Sequence, residues 1–155
     1  MVCLLNMLLY RISKCTYIED LSGTGARLYG GRWNSIGKPM VYMASSRALA
    51  TLEVLVHLPT ALIPADFCQA TFEVPDDIQV LDMTKLPSNW QEYPEPARLK
   101  TMGDAFLKAK KHLLLKVPSA VVSEEFNYLL NPAHVGINAV SIVEVKPFTF
   151  DERLI

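Results

Sequence analysis

One stretch of the sequence, Leu28 to Leu58, constrains the fold of this chain more than any other. It begins with a turn at Gly30-Gly31, where glycine allows the backbone to adopt positive φ and to approach a ligand closely. A short strand is predicted over Met40–Met43. Strong helix formers without a breaker then predict a helix over Arg47–Leu58, which is apolar around most of its circumference. A helix of that kind is expected to be buried on most sides.

The remaining elements are predicted to pack around this stretch. An amphipathic helix is predicted over Arg98–Lys110, a surface excursion over Pro87–Pro96 and a loop over Asn127–Pro132. The predicted strands are Leu4–Ile12 (buried on both faces), Phe67–Val74 (half-buried), Val80–Met83, Leu113–Val117, Ala120–Val122 and Ala139–Val145 (central). Strands that alternate with two or three helices predict a compact α/β (α+β) fold, a mixed β-sheet with flanking helices. With 155 residues, half of them hydrophobic, residues 1–155 are expected to form a single domain.

Charge and cysteine usage exclude several classes of protein. The chain has 15 basic and 16 acidic residues in no long run of one sign, so no nucleic acid or membrane partner is predicted. The apolar opening MVCLLNMLLY lacks a basic n-region and is too short to span a bilayer, so it is interpreted as part of a buried first strand. Cys3, Cys15 and Cys68 show no CxxC pair, which predicts free thiols and a cytoplasmic protein.

Glu53 is the strongest single candidate for chemistry. It is a carboxylate in the middle of an apolar helix, where it must be paired, protonated or facing a cleft to avoid a large desolvation cost. It could serve a purely structural role by pairing with a buried arginine or with His57, one helical turn later. The spacing alone leaves both interpretations open.

Arg32 directly follows the two glycines, and a guanidinium beside exposed backbone amides can hold phosphate oxygens bidentately. Its alternative role is to brace the turn, stacked on Trp33. The glycine pair itself is a weak signal, because it matches neither a GxGxxG motif nor a P-loop.

Five further residues could contribute binding groups. Tyr42 points to the opposite face of its strand from its neighbours and could stack on a flat heterocycle, or it could be a core tyrosine. Arg11 at a strand end and Tyr29 before the glycines leave the same two interpretations open. Ser119 and Asn127 could hold a carboxamide or a ribose, or could be ordinary turn residues.

Other hydrolytic chemistries lack essential parts. The sequence contains no GxSxG nucleophile elbow. His57, His112 and His134 are far apart and show no HExxH or other metal-ligand spacing, so no metal site is predicted.

Taken together, several motifs resemble the RES domain family, which is named for an arginine, a glutamate and a serine. They are YRI at 10–12, DLSGTGA at 20–26, LYGGRWN at 28–34, PMVY at 39–42, ASS at 44–46 with LEV at 52–54, VPS at 117–119, Asn127, and Asn131-Pro132. The resemblance runs from about Leu9 to Leu154 and is far more specific than any fragment of it.

The resemblance implies a fold and a function. RES proteins are the toxin halves of bacterial toxin–antitoxin pairs whose antitoxins carry an Xre-like helix-turn-helix domain, and the family suggests that the antitoxin blocks the active site. Their fold is similar to that of ADP-ribosyltransferase toxins. Their members cleave the bond between nicotinamide and ribose in NAD⁺, here expected by hydrolysis or phosphorolysis, so NAD⁺ is the substrate and no cofactor is expected. Two alternatives are transfer of ADP-ribose to a protein and a non-catalytic module that only binds an antitoxin.

Carried over by motif, the resemblance also implies roles for residues. The catalytic set would be Arg32, Tyr42 and Glu53. Arg11 would be a further pocket arginine, and the family's serine would be Ser119, which the VPS context favours over Ser123. Tyr29 and Asn127 complete the expected NAD⁺-binding set.

Overall fold

The computed structural model describes residues 5–59 and 63–155. Seven strands and three α-helices form its regular structure. The strands are β1 (Asn6–Lys14), β2 (Val41–Ala44), β3 (Phe67–Pro75), β4 (Ile78–Val80), β5 (Leu114–Pro118), β6 (Phe126–Leu130) and β7 (Ser141–Pro147). The helices are α1 (Thr24–Tyr29), α2 (Arg47–Leu55) and α3 (Ala97–Ala109). Short 3-10 turns lie at Met83–Lys85, Val135–Ala139 and Glu152–Leu154.

All seven strands belong to one sheet in the order β4-β5-β6-β2-β1-β3-β7. β4 runs parallel to β5, and every other neighbouring pair is antiparallel. The mixed sheet with flanking helices confirms the predicted α+β class. β5, β6 and β2 are adjacent, so residues that are far apart in sequence meet at this side of the sheet.

Two buried clusters hold α3 and α2 against the sheet. α3 packs through Leu99 and Phe106 onto Trp33 and Leu129. α2 packs through Leu49 and Ala50 near the ends of β1 and β3. The first turn of α2 is capped by Ser46, whose Oγ accepts a hydrogen bond from the Leu49 N–H. The capped end and the buried face set the direction in which Glu53 projects.

α2 is shorter and more exposed than predicted. It ends at Leu55 rather than Leu58, and only Leu49 and Ala50 are fully buried. The apolar pattern was wrong about burial because part of the helix faces an open cleft instead of a second layer: Val56, just past its end, remains 55% exposed. The position of Glu53 beside that cleft follows from the same arrangement.

Two predictions beside the site were wrong. Most of the predicted loop Asn127–Pro132 belongs to strand β6, and the predicted strand Ala120–Val122 is an irregular bend. β6 pairs with both β2 and β5, and this tertiary pairing outweighs the turn signals of its asparagines and proline.

Three other strand predictions were wrong about burial. β3 is buried on both faces except at Glu73, because Phe72 and Val74 pack into one buried cluster and Phe67 packs into another. β7 is an edge strand exposed along its whole length, not a central one. β1 was predicted to be buried along its length, but it is fully buried only at Leu9 and Ile12, one on each face of the sheet; its predicted start, Leu4, lies outside the described residues.

The remaining predictions differ in local detail. The strand predicted over Val80–Met83 is observed two residues earlier, as β4, and Met83 instead begins a 3-10 turn. The Pro87–Pro96 excursion is on the surface as predicted, with a 3-10 turn before it.

The prediction of free thiols was wrong for two of the three cysteines. Cys15 and Cys68 form a disulfide that links the end of β1 to the start of β3. Antiparallel pairing places Lys14 opposite Phe67, so Cys15 and Cys68 are diagonal neighbours across the two strands. Their Cα atoms lie 4.8 Å apart, within disulfide range. Sequence separation alone could not show this pairing. Cys3 lies outside the described residues.

Candidate functional site

Glu53 is held by two neutral hydrogen-bond donors. Its Oε1 accepts from Ser119 Oγ at 2.6 Å and from Asn127 Nδ2 at 2.8 Å. Ser119 follows β5 and Asn127 lies on β6, so one helix and two strands converge on one carboxylate. Within residues 5–59 and 63–155, no arginine or histidine forms a salt bridge with Glu53. Among the described residues, Glu53 therefore does not form the buried ion pair that was its structural alternative.

The hydroxyl of Ser119 has a fixed orientation. Ser119 is 1% exposed, and its Oγ accepts from the backbone N–H groups of Val121 at 3.1 Å and Val122 at 3.0 Å. With both lone pairs occupied, its proton can only be donated to Glu53. Ser119 therefore positions the carboxylate and has no free group for a ligand.

Glu53 and Arg32 line the same cleft, which has a volume of about 360 Å³. The Nη1 atom of Arg32 donates to the carbonyl oxygens of Trp90 at 2.9 Å and Glu92 at 3.2 Å. These contacts tie the Pro87–Pro96 excursion to the glycine turn. They use one nitrogen of a guanidinium that carries five N–H donors, so the fork retains capacity for an anion.

Tyr42 supports the turn that carries Arg32. Its hydroxyl donates to Asn34 Oδ1 at 2.6 Å and accepts from the Trp33 N–H at 3.1 Å. Gly31 makes room for this, since a Cβ there would lie 2.5 Å from the Tyr42 hydroxyl oxygen. Burial raises the pKa of Tyr42 well above that of an exposed tyrosine. The structure thus places the hydroxyl of Tyr42 inside the turn, and its ring is not among the residues that line the cleft.

Replacing Tyr42 by phenylalanine is expected to lower the free energy of unfolding by about 1–3 kcal/mol, because Asn34 Oδ1 and the Trp33 N–H lose their partner. Urea unfolding measures this. Tyr29→Phe is the matched control: the Tyr29 side chain is 83% exposed, and its loss of a hydroxyl is expected to change stability by less than about 0.5 kcal/mol. Equal effects at the two positions would contradict the role given to the Tyr42 hydroxyl.

The same tyrosine predicts a pH dependence. Because its pKa is raised in the folded state, the unfolded state loses this proton first. The stabilisation is complete below about pH 10, the ordinary tyrosine pKa, and declines as pH rises above it. Unfolding of Tyr42→Phe measured between pH 8 and 11 should lack this component of the decline.

Arg11 and Tyr29 do not line this cleft. Arg11 Nη1 donates to the carbonyl oxygens of Asp20 at 2.7 Å and Ile18 at 3.5 Å, and burial lowers its pKa relative to an exposed arginine. Tyr29 ends α1 with its side chain in solvent. The structure therefore brings together Glu53, Arg32, Ser119 and Asn127 of the seven residues singled out in the sequence.

The sequence identified His57 only as a possible partner of Glu53, one helical turn later; in the structure it lies just past the end of α2 and lines the cleft. Its ring lies 6.3 Å from that of Tyr93, centroid to centroid. Two other residues of the cleft were missed. Gln91 and Tyr93 come from the Pro87–Pro96 excursion, and no local signal marks them.

Within the described residues, no three histidine, cysteine or acidic side chains are arranged to hold a metal ion. In the same part of the chain, no helix has the length and apolar character needed to cross a membrane.

The chain was also compared with known families and proteins. The RES domain family matches residues 8–151. "Toxin Res" of Photorhabdus laumondii is 40% identical over 155 residues, which cover 96% of this chain and 97% of that protein. The "Prs ADP-ribosylating toxin" of a Sphingobium species is 39% identical over 141 residues, 88% of each chain.

A solved structure shares the fold. The crystal structure of the M. tuberculosis MbcT–MbcA toxin–antitoxin complex contains a chain similar to this one with a TM-score of 0.75, covering 94% of this chain and 86% of that chain. The two are 20% identical, so this likeness concerns the fold alone.

Proposed function

This chain belongs to the RES domain family, and from that premise we propose that it is the toxin of a bacterial toxin–antitoxin pair and that it cleaves the nicotinamide–ribose bond of NAD⁺. The observation that carries the proposal is the oriented carboxylate of Glu53 in one cleft with Arg32. Relatives named as Res toxins and as an ADP-ribosylating toxin support it. NAD⁺ is then the substrate, and the reaction needs no other cofactor.

The chemistry of the bond suits a fixed carboxylate. When the C1′–N bond breaks, its electron pair goes to the nicotinamide ring, which leaves as a neutral molecule. The ribose becomes an oxocarbenium-like cation. A negative charge held beside that carbon stabilises the cation more than the ground state. Water then forms the new C1′–O bond and releases a proton, giving ADP-ribose.

Glu53 can act in this way because one oxygen is already committed. Oε1 accepts both side-chain hydrogen bonds, and none of the hydrogen bonds among the described residues reaches Oε2. Oε2 can therefore accept from a ribose hydroxyl while the charge faces C1′. Arg32 would hold the pyrophosphate with the N–H groups that do not bind the excursion.

Transfer of ADP-ribose to a protein is the second candidate, favoured by the name of the Sphingobium relative. The two candidates share the bond that breaks and differ in the acceptor. Incubation with NAD⁺ labelled in its adenylate phosphate, with and without inorganic phosphate and with cell lysate, separates them. Free ADP-ribose or its phosphate supports depletion of NAD⁺, whereas label retained on a protein supports transfer. Label that stays in intact NAD⁺ would refute both.

The proposed partner is an antitoxin with an Xre-like helix-turn-helix domain that covers the cleft. The rim of the cleft exposes apolar groups that a partner could bury: Val56, Val121 at 38% exposure and Tyr93 at 76%. The fold is shared with a chain of a toxin–antitoxin complex. We place the pair in the bacterial cytoplasm, where NAD⁺ is available.

Ser119→Ala is expected to lower kcat for NAD⁺ by about 10- to 100-fold, because the Glu53 carboxylate loses the donor that orients it. KM should change little, since Ser119 has no free group for the substrate. Steady-state release of nicotinamide measures both constants. Ser141→Ala, the same change on the exposed β7 at the far edge of the sheet, is the control. A wild-type kcat in Ser119→Ala would contradict this positioning role.

A further inference from the structure

One face of α3 lies along the turn that carries Arg32. The carboxylate of Asp104 accepts hydrogen bonds from the backbone N–H and the hydroxyl of Ser35. Four positions earlier, the Nζ of Lys100 donates to the carbonyl oxygen of Gly31. Residues four apart lie on the same face of a helix, so α3 holds both ends of this turn. The carbonyl that Lys100 binds belongs to the peptide bond between Gly31 and Arg32.

Lys100 also binds the surface excursion. Its Nζ lies 2.6 Å from Glu95 Oε1, and the two side chains are 30% and 18% exposed. Glu95 is part of the Pro87–Pro96 excursion, which contributes Gln91 and Tyr93 to the lining of the cleft. The hydrogen bond from Lys100 lowers the pKa of Glu95, so this carboxylate stays ionised as the partner of the ammonium group. Lys100 therefore links that lining to the turn.

The side chain of Arg32 makes the opposite connection, from the turn to the excursion. Its Nη1 donates to the carbonyl oxygens of Trp90 and Glu92. The excursion thus holds the guanidinium at its tip, and Lys100 holds the peptide group at its base. A free arginine side chain has many rotamers, and fixing them on binding costs affinity. A guanidinium that the fold has already oriented avoids most of that cost.

Lys100 is not part of the cleft itself. Among the described residues, those that line the cleft include Arg32 and Glu53 but not Lys100. Resting on the proposed function, we propose that Lys100 is a positioning residue for the cleavage of NAD⁺. It holds the turn against the excursion, so that Arg32 presents its unused N–H groups to the phosphates of NAD⁺ in one orientation. Glu53 is held independently, by Ser119 and Asn127.

The independent support of Glu53 predicts that KM and kcat respond differently to the loss of Lys100. Lys100→Met keeps a side chain of similar length and removes the ammonium group. KM for NAD⁺ is expected to rise by about tenfold or more, since misplacing a group by about 1 Å can cost about 100-fold. The kcat should stay within about threefold of wild type, because the Glu53 carboxylate keeps its donors. Steady-state release of nicotinamide gives both constants.

Two comparisons separate positioning from a general loss of structure. Lys108→Met makes the same change on an exposed lysine in the last turn of α3 and should leave KM and kcat unchanged. Arg32→Lys removes the guanidinium that Lys100 positions, so adding Lys100→Met to it should raise KM by less than about twofold. The proposal is overturned by a wild-type KM in Lys100→Met, by an equal rise of KM in both backgrounds, or by a fall in kcat as large as the rise in KM.

Amide hydrogen exchange tests the same role without substrate. Loss of the Lys100 contacts should speed exchange of the amides in the turn 31–34 by about tenfold or more, whereas Lys108→Met should not change it. Unchanged exchange in Lys100→Met would refute the positioning role whether or not the chain cleaves NAD⁺. Failure of the proposed function is seen separately, as NAD⁺ that stays intact with the wild type.

Discussion

Glu53→Gln is expected to lower kcat for NAD⁺ cleavage by about 100- to 1000-fold, the effect of removing one preorganised electrostatic group. Glutamine has nearly the same shape, and its Oε1 can still accept from Ser119 Oγ and Asn127 Nδ2, as the carboxylate does. The change therefore removes the negative charge beside C1′ and leaves the cleft assembled. Steady-state release of nicotinamide gives kcat, and urea unfolding shows whether the fold is kept.

Two comparisons make this result specific. Glu144→Gln makes the same chemical change on β7, on an exposed carboxylate at the far edge of the sheet, and should leave kcat unchanged. Glu53→Ala should lose at least as much activity as Glu53→Gln, because it removes both the charge and the hydrogen-bonded shape. If Glu53→Gln kept a kcat within about tenfold of wild type, Glu53 would not be the stabilising charge.

Gly103→Ala is expected to have the largest effect on stability, a loss of about 3 kcal/mol or more in the free energy of unfolding. Gly103 lies in α3 against the turn after Arg32. A Cβ on Gly103 would lie 1.7 Å from the carbonyl oxygen of Trp33 and 2.7 Å from its carbonyl carbon. Both are backbone atoms of a residue in the core, so the helix itself must shift.

Helix propensity acts in the opposite direction, which sharpens the test. Alanine inside a helix is normally favoured over glycine by about 1 kcal/mol. Gly25→Ala, in α1, is the control: a Cβ there meets nothing within 4 Å, so the substitution should be neutral or stabilising by up to about 1 kcal/mol. Urea unfolding of both variants measures the difference. Similar stabilities for the two would contradict the close packing of α3 on the Trp33 turn.

Helix packing at Gly103 also bears on the site. The neighbouring Asp104 accepts hydrogen bonds from the backbone N–H and the hydroxyl of Ser35, which holds the same turn from its other end. A shift of α3 would move this turn and with it Arg32. Loss of NAD⁺ cleavage in Gly103→Ala would therefore follow from the fold rather than from a catalytic role.

The sequence predicted the parts of the site that carry a local signal. A carboxylate in an apolar helix marked Glu53, and an arginine after two glycines marked Arg32. The partners of these residues were less predictable. Ser119 and Asn127 are ordinary turn residues by local pattern, and they meet Glu53 only because β5 and β6 are neighbours in the sheet.

The errors in the predicted fold also come from contacts between segments that are distant in sequence. The segment of β6 contains asparagine and precedes a proline, a local pattern typical of a loop, but it forms a strand because β2 and β5 pair with its two edges. Ile142, Val143 and Val145 made β7 resemble a central strand, but it lies at the sheet edge. The disulfide between Cys15 and Cys68 depends on a strand register that local pattern does not contain.

The most direct test of the central claim is the release of free nicotinamide from NAD⁺ by the purified wild-type chain, freed of any partner and followed by mass spectrometry. The cleft around Glu53 predicts many equivalents of nicotinamide per protein molecule, together with ADP-ribose or an ADP-ribosylated acceptor. If NAD⁺ remained intact and nicotinamide did not exceed that of a protein-free sample, cleavage of this bond would not be the function of the site.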